Sequence, residues 1–336
     1  MLTQYGSDFD HIAVEERPVP TPGKGQVLVR VAASPINPSD LMFLAGRYGV
    51  TKRLPTVPGF EASAVVVAAG PALLGRMLLG RRVACASQSG DGVWAQYAAV
   101  SAAQCLPLIS SVDDEQGATM LVNPFTAWAL IDIARQRHAK TIVATAAGSA
   151  LGQMTWRLGK RQGVDVIGVV RRLEQAEELR TAGMRVYCTA DPDMDKQLAK
   201  ICRQEKITLA VDAVAGDTAS RVAEALAPGG AVIVYGALSL RNPSLSPSDL
   251  IFAGKSLEGF WLTKWFAKRG LAAILIDAPR VQRLIGDELH TRIQGRYSLD
   301  RISQALEAYT SNMSDGKVLI TPQEFAAGDV LSPPRP

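Results

Sequence analysis

This 336-residue chain is short of metal ligands. It has four cysteines, at positions 85, 105, 188 and 202, with no C-x-x-C pair among them. Its three histidines, His11, His138 and His290, stand without a cysteine or carboxylate at ligand spacing. A zinc knuckle or a disulfide framework needs clustered ligands, so reduced and mostly buried thiols are expected, and no metal site. Long apolar runs are missing too. The longest, "TIVATAAGSALG" and "AVIVYGALSL", have strand length and end in small-residue turns, well short of a membrane span. "MLTQYGSDFD" at the start has neither the basic n-region nor the apolar core of a secretory signal, which makes a cytoplasmic location the expectation. The 36 basic and 32 acidic residues are spread along the chain, with no basic cluster interleaved with aromatics, so a nucleic-acid partner is not expected.

The length and apolar content point to a globular protein of two domains. In the first third, "GQVLVRVAAS" (25–34), "GFEASAVVVAAG" (59–70), "RRVACAS" (81–87) and "VWAQYAAV" (93–100) are short β-branched or alternating runs separated by Gly and Pro. That pattern belongs to a barrel or sandwich of short strands. The segment "INPSDLMFLAGRYG" (36–49) is punctuated like a loop. From about residue 113 the period lengthens. "DDEQGATML" opens a helix with acidic residues, and "PFTAWALIDIARQ" continues as a helix with Pro124 at its start. From Lys140, continuous apolar strands alternate with amphipathic helices: "KTIVATA", "LGQMTWRLGKRQG", "VDVIGVV", "LEQAEELRTAG", and so on to "AVIVYGAL". This rhythm predicts a doubly wound parallel sheet. The fold class expected is therefore α/β, with a β-rich domain over residues 1–122, a dinucleotide-binding domain over 123–261, and a tail, 262–336, that folds back onto the first.

The first strand of the doubly wound region runs into Ala147, Gly148, Ser149, Ala150, Leu151 and Gly152. A dinucleotide fingerprint would place glycines at 147, 149 and 152, and only Gly152 fits. The position after a strand and at a helix start still suits a pyrophosphate on backbone amides. Arg171 and Arg172 end the second strand, nineteen and twenty positions beyond Gly152. An NAD site would carry an acidic residue near here for the ribose hydroxyls. Two guanidinium groups instead suit a 2′-phosphate, so NADP(H) is the expected cofactor.

In this order of parts, "VLVRVAASPINPSD", "PGFEASAVV", "GRRVA", "VNPFTAWALI", "VDAVAGD", "VIVYGALS", "GFWLTKW" and "GKVLI" resemble the medium-chain dehydrogenase/reductase superfamily over nearly the whole chain. The resemblance implies a GroES-like catalytic domain and a Rossmann domain. It is strongest to zinc-free members, the quinone oxidoreductases and, more closely, the mitochondrial-type 2-enoyl thioester reductases. Zinc members carry a Cys-His pair in the first loop and Gly-His-Glu in the next, where this chain has Pro38-Ser39-Asp40 and Gly59-Phe60-Glu61. Without such ligands a Lewis-acid route to alcohol oxidation is disfavoured. By resemblance, Tyr48 matches the tyrosine assigned to proton handling, and Trp261 a tryptophan at the thioester site. Asn37 and Thr126 match positions near the nicotinamide, and Tyr235, Gly236 and Ala237 lie where the fifth strand meets the cofactor. Lys317, carried over more loosely, reads as a solvated lysine.

The resemblance implies hydride transfer from NADPH to an enoyl thioester or enone, a reaction that needs donors at the carbonyl oxygen and a proton at the α-carbon. The alternative within enzymes is an NADPH:quinone oxidoreductase, in which Tyr48 is only a pocket wall. From another class, an NADPH-retaining binding protein without turnover stays open. A small-molecule substrate and a homodimer paired through "SLEGFWL" are expected by the same analogy, and no membrane partner.

Overall fold

The computed structural model describes residues 1–6 and 9–322, and the chain divides into two compact units. One holds residues 1–122 together with the described chain from Ala278 onward, and the other holds Asn123–Asp277.

In the first unit, β1 (Gln26–Pro35) buries Val27, Val29 and Val31 on one face, as its alternation predicts. They pack with Ala62, Ala64 and Val66 of β2 (Glu61–Ala69). Between these strands the supposed loop is in part a helix, α1 (Pro38–Leu44). The cause is local. Pro38 sits in the first turn, where its missing N–H costs nothing, and the Asp40 carboxylate accepts the Asn37 backbone N–H at 2.8 Å. Phe43 and Leu44 are buried, and past Ala45 the chain is irregular through Tyr48. A short helix α2 (Leu73–Met77), β3 (Arg82–Ala86), β4 (Tyr97–Ser101), β5 (Cys105–Pro107) and α3 (Asp114–Ala118) follow. The Asp113 side chain caps α3, accepting from Gln116 N at 2.7 Å.

The second unit starts with α4 (Asn123–Gln136) and alternates thereafter: β6 (Thr141–Thr145), α5 (Ala150–Gln162), β7 (Asp165–Val170), α6 (Leu173–Thr181), β8 (Val186–Cys188), α7 (Met194–Gln204), β9 (Leu209–Asp212), α8 (Gly216–Ala225), β10 (Ala231–Val234), α9 (Pro247–Ile251) and β11 (Ser256–Gly259). The strands are all parallel, in the order β11-β10-β9-β6-β7-β8. The order reverses between β6 and β9, and such a switch opens a crevice at the carboxyl ends of the strands.

After β11, α10 (Leu262–Arg269) and the first part of α11 (Leu271–Leu284) stay with this unit, whereas the sequence reading placed the return at residue 262. Long-range pairs hold α10 there. Arg269 bridges Asp132 at 3.0 Å and Asp277 at 2.9 Å, and Phe266 lies edge-on to Phe125 with centroids 5.1 Å apart. The return then supplies β12 (Ile293–Tyr297), α12 (Ile302–Ser311) and β13 (Lys317–Ile320) to the first unit. There β13 runs antiparallel to β1 and parallel to β12, completing a sheet ordered β12-β13-β1-β2-β3-β5 with β4 also on β1. Among the described residues no helix is long and apolar enough to cross a membrane.

Candidate active site

The two units carry separate sets of candidate residues. In the second, β6 ends at Thr145 and turns through residues 146–149 into α5. Ser149 caps the helix, its hydroxyl accepting from Gly152 N at 3.1 Å. A Cβ on Gly152 would stand 2.6 Å from the Ala146 carbonyl oxygen and 2.7 Å from Ala147 Cα. Only glycine lets the helix approach the turn so closely, which is the packing role of the last glycine in a dinucleotide turn. The amides of Ala150 and Leu151, in the first turn of a thirteen-residue helix, have no intrahelical acceptor. Ala147 and Gly148 are buried. A Cβ on Gly148 would meet the Gln175 side chain at 2.2 Å, so Gln175 lies across the turn, a neighbour the sequence reading missed.

Arg171 and Arg172 follow β7 directly and are exposed. Tyr235, Gly236 and Ala237 follow β10. The Tyr235 amide donates to Asp212 O at 2.8 Å, and a Cβ on Gly236 would stand 2.8 Å from Ala213 O. Burial raises the Tyr235 phenol well above its usual range. Where the strand order reverses, Thr145 Oγ1 donates to Asp212 Oδ1 at 2.6 Å, and the other Asp212 oxygen accepts from Ala215 N at 2.7 Å. Trp261 is half-buried just past β11, with the Lys264 ammonium 5.7 Å from its ring. The structure thus gathers 147–152, 171–172, 235–237 and 261 along the carboxyl edge of one parallel sheet. Thr126 is buried in the first turn of α4. The cradle suits a dinucleotide phosphate: backbone amides at a helix start, with the Gln175 side chain across the turn, and two exposed guanidinium groups one strand away.

In the first unit the two loops that would carry metal ligands in zinc relatives are joined by a sealed polar network. Asn37, Asp40, Glu61, Tyr309 and Lys317 are all at most 2% exposed. The Asn37 amide donates to Glu61 Oε1 at 2.8 Å, and its carbonyl accepts from the Lys317 ammonium. Glu61 Oε2 accepts from the amides of Leu121 and Val122 at 3.0 and 2.9 Å. Asp40 accepts from the amides of Asn37 and Phe60. Lys317 also donates to Ile36 O at 3.3 Å, so the expectation of a solvated lysine is wrong. β13 inserts it under α1, and the pairing of chain positions so far apart left no local signal. Burial raises Asp40 and Glu61 to about 7 each and lowers Lys317 to about 8.

With those groups enclosed, Tyr48 at the end of this loop is only partly buried. Its ring packs on Phe60 with centroids 5.0 Å apart. On the same Phe60 ring sits the ammonium of Lys52, a residue the sequence reading did not single out. Among the described residues no group of three or more His, Cys, Asp or Glu is placed to hold a metal ion.

Comparison with known proteins bears on both units. Residues 23–110 match the family described as alcohol dehydrogenase GroES-like domain, and residues 150–275 the family described as zinc-binding dehydrogenase. The mitochondrial enoyl-[acyl-carrier-protein] reductase of Xenopus tropicalis is 30% identical over 84% of this chain and 81% of that protein. The Bos taurus enzyme of the same name is 32% identical over 72% of this chain, and the match spans 66% of its own length. A solved structure from Mesorhizobium loti, provisionally assigned as an NADPH:quinone reductase, superposes with a TM-score of 0.82 at 36% identity. It covers 90% of this chain and 89% of its own.

Proposed function

Since the chain belongs to the medium-chain dehydrogenase/reductase superfamily, in its zinc-free branch, we propose that it is an NADPH-dependent reductase of an activated C=C bond, with a 2-enoyl thioester or enone as substrate. NADPH, when bound, supplies a hydride to the β-carbon of such a substrate. The residues fitted to hold it are the amides at the start of α5, with Arg171 and Arg172 on the 2′-phosphate. The protein must then stabilise charge at the carbonyl oxygen and deliver a proton to the α-carbon.

One observation carries the assignment of that proton to Tyr48. Asp40, Glu61, Asn37 and Lys317 are closed inside their own network, while Tyr48, on the loop beside them, is only partly buried. Tyr48 is the donor, and the network keeps the loop in place. Tyr48→Phe tests this, because it removes the hydroxyl and leaves the ring on Phe60. A positioned acid contributes about 10²-fold or more, so kcat for an enoyl thioester should fall by about that factor while quinone reduction changes little. Equal effects on both substrates would remove the role given to Tyr48.

The likeness to the M. loti protein favours quinone reduction as the second reading. A quinone accepts hydride readily and takes its protons from water, so it needs no positioned acid. The partner proposed is a second copy of this chain. β11 is the edge strand of its sheet, and Ile251 and Phe252 just before it are strongly exposed. A monomeric mass by light scattering would contradict that.

A further inference from the structure

Three cations lie within six residues of Tyr48 on one stretch of chain: Arg47, Lys52 and Arg53. No acidic residue occurs between Asp40 and Glu61, so this stretch is one-signed although the chain as a whole is nearly balanced. Elsewhere arginines are paired with carboxylates, as at Arg82, Arg137, Arg185, Arg221, Arg269 and Arg296. Arg47 and Arg53 are exposed and enter no ion pair among the described residues.

Lys52 is the more telling of the three. Its backbone is pinned by the Tyr5 hydroxyl, which donates to Lys52 O at 2.8 Å and accepts from Lys52 N at 2.9 Å. Its side chain is half-buried, with the ammonium 5.6 Å from the Phe43 ring centroid and 5.5 Å from that of Phe60. The ammonium's hydrogen bond is a long one, to Ser87 O at 3.4 Å. The carboxylates that influence it are engaged elsewhere: Asp40 with the amides of Asn37 and Phe60, Asp91 with Val57 N, Thr56 and Arg17. Burial lowers its pKa to about 8. A half-desolvated ammonium without a counter-ion is costly, and an incoming anion would offset that cost.

We propose that Lys52, with Arg47 and Arg53, forms an anion subsite that holds the phosphate of a pantetheine thioester while its acyl end lies at Tyr48. This rests on the enoyl thioester reading and deepens it, since it names the carrier class. Lysine offers a compact point charge and the two arginines offer paired donors, a combination suited to phosphate oxygens. Tyr48 and Lys52 share the Phe60 ring as their support, so the phosphate and the reacting acyl group are set from one rigid surface. A quinone or simple enone has no group for this subsite. The phosphate could come from coenzyme A or from the phosphopantetheine of a carrier protein.

The test is a set of KM values for three substrates with NADPH: crotonyl-CoA, crotonyl phosphopantetheine and crotonyl pantetheine, which lacks phosphate. In the wild type, KM should be about tenfold lower for the phosphate-bearing thioesters, a factor equal to about 1.4 kcal/mol. Lys52→Gln and the double variant Arg47→Gln/Arg53→Gln should each reduce that selectivity ratio severalfold through KM, not kcat. Lys52→Arg, which keeps the charge, should preserve it. A preference for crotonyl-CoA over the phosphopantetheine thioester supports the subsite with the nucleotide as source, and equal KM supports it with the pantetheine phosphate alone. A ratio unchanged in the folded variants, or absent in the wild type, overturns the subsite while the enoyl reading stands. Reduction of quinones but of none of the three thioesters overturns both.

Discussion

Ala215 is held at φ +61°, ψ −159°, a region that L residues avoid because of Cβ. It stands just past β9, and its N–H is held by Asp212, which Thr145 holds in turn. The strain is therefore opposed by a fixed set of hydrogen bonds at the sheet's switch point. Such a conformation costs about 1–3 kcal/mol, while the looser unfolded chain of a glycine costs about 0.4–1 kcal/mol. Ala215→Gly should therefore raise Tm by a few degrees in scanning calorimetry, and a lower Tm would show that the backbone there is not strained. At this scale the sequence singles out candidates that sit in short contiguous motifs: Tyr48, the 147–152 turn and the arginine pair. Lys52, Gln175 and the burial of Lys317 were not legible in it, because each depends on which distant side chain lies next to it.

Among the elements, β2, α1 and β13 meet at the sealed network of Asp40, Glu61, Lys317 and Tyr309, and this gives the fold a pH signature. Both carboxyls are raised by burial to about 7. Between about pH 4.5 and 7 the unfolded chain has therefore released protons that the folded chain retains, and stability falls as pH rises through that window. Lys317, lowered to about 8, acts in the opposite sense, but above this window, where stability is lost as pH falls toward 8. One pK unit is about 1.4 kcal/mol, and a kcal/mol moves Tm by about 2–4 °C in a chain of this size. Melting at pH 5 should exceed melting at pH 7 by several degrees, and Glu61→Gln should shrink that difference. A Tm that rises over the same interval would contradict the burial argument. Strand and helix order could be read from periodicity nearly throughout. The helical start of "INPSDLMFLAGRYG" was hidden because Pro, Asn, Ser and Asp are turn residues as well as N-terminal capping residues.

For the whole molecule, the change of hydrophobic period near residue 113 anticipates a β-rich part followed by a doubly wound part, while the compact units part between Val122 and Asn123, with α3 still in the first. The return point was misjudged by one helix and the start of the next, since Arg269 and Phe266 commit α10 to the second unit through partners more than a hundred residues away. What the chain does with both units together is tested most directly by NADPH oxidation. The purified protein should be assayed with crotonyl-CoA and, in parallel, with 1,4-benzoquinone, each repeated with NADH. Turnover of crotonyl-CoA, with NADPH preferred over NADH, is the result expected from Tyr48 and from Arg171 and Arg172. Turnover of the quinone alone would contradict the account and leave Tyr48 as a wall of the pocket.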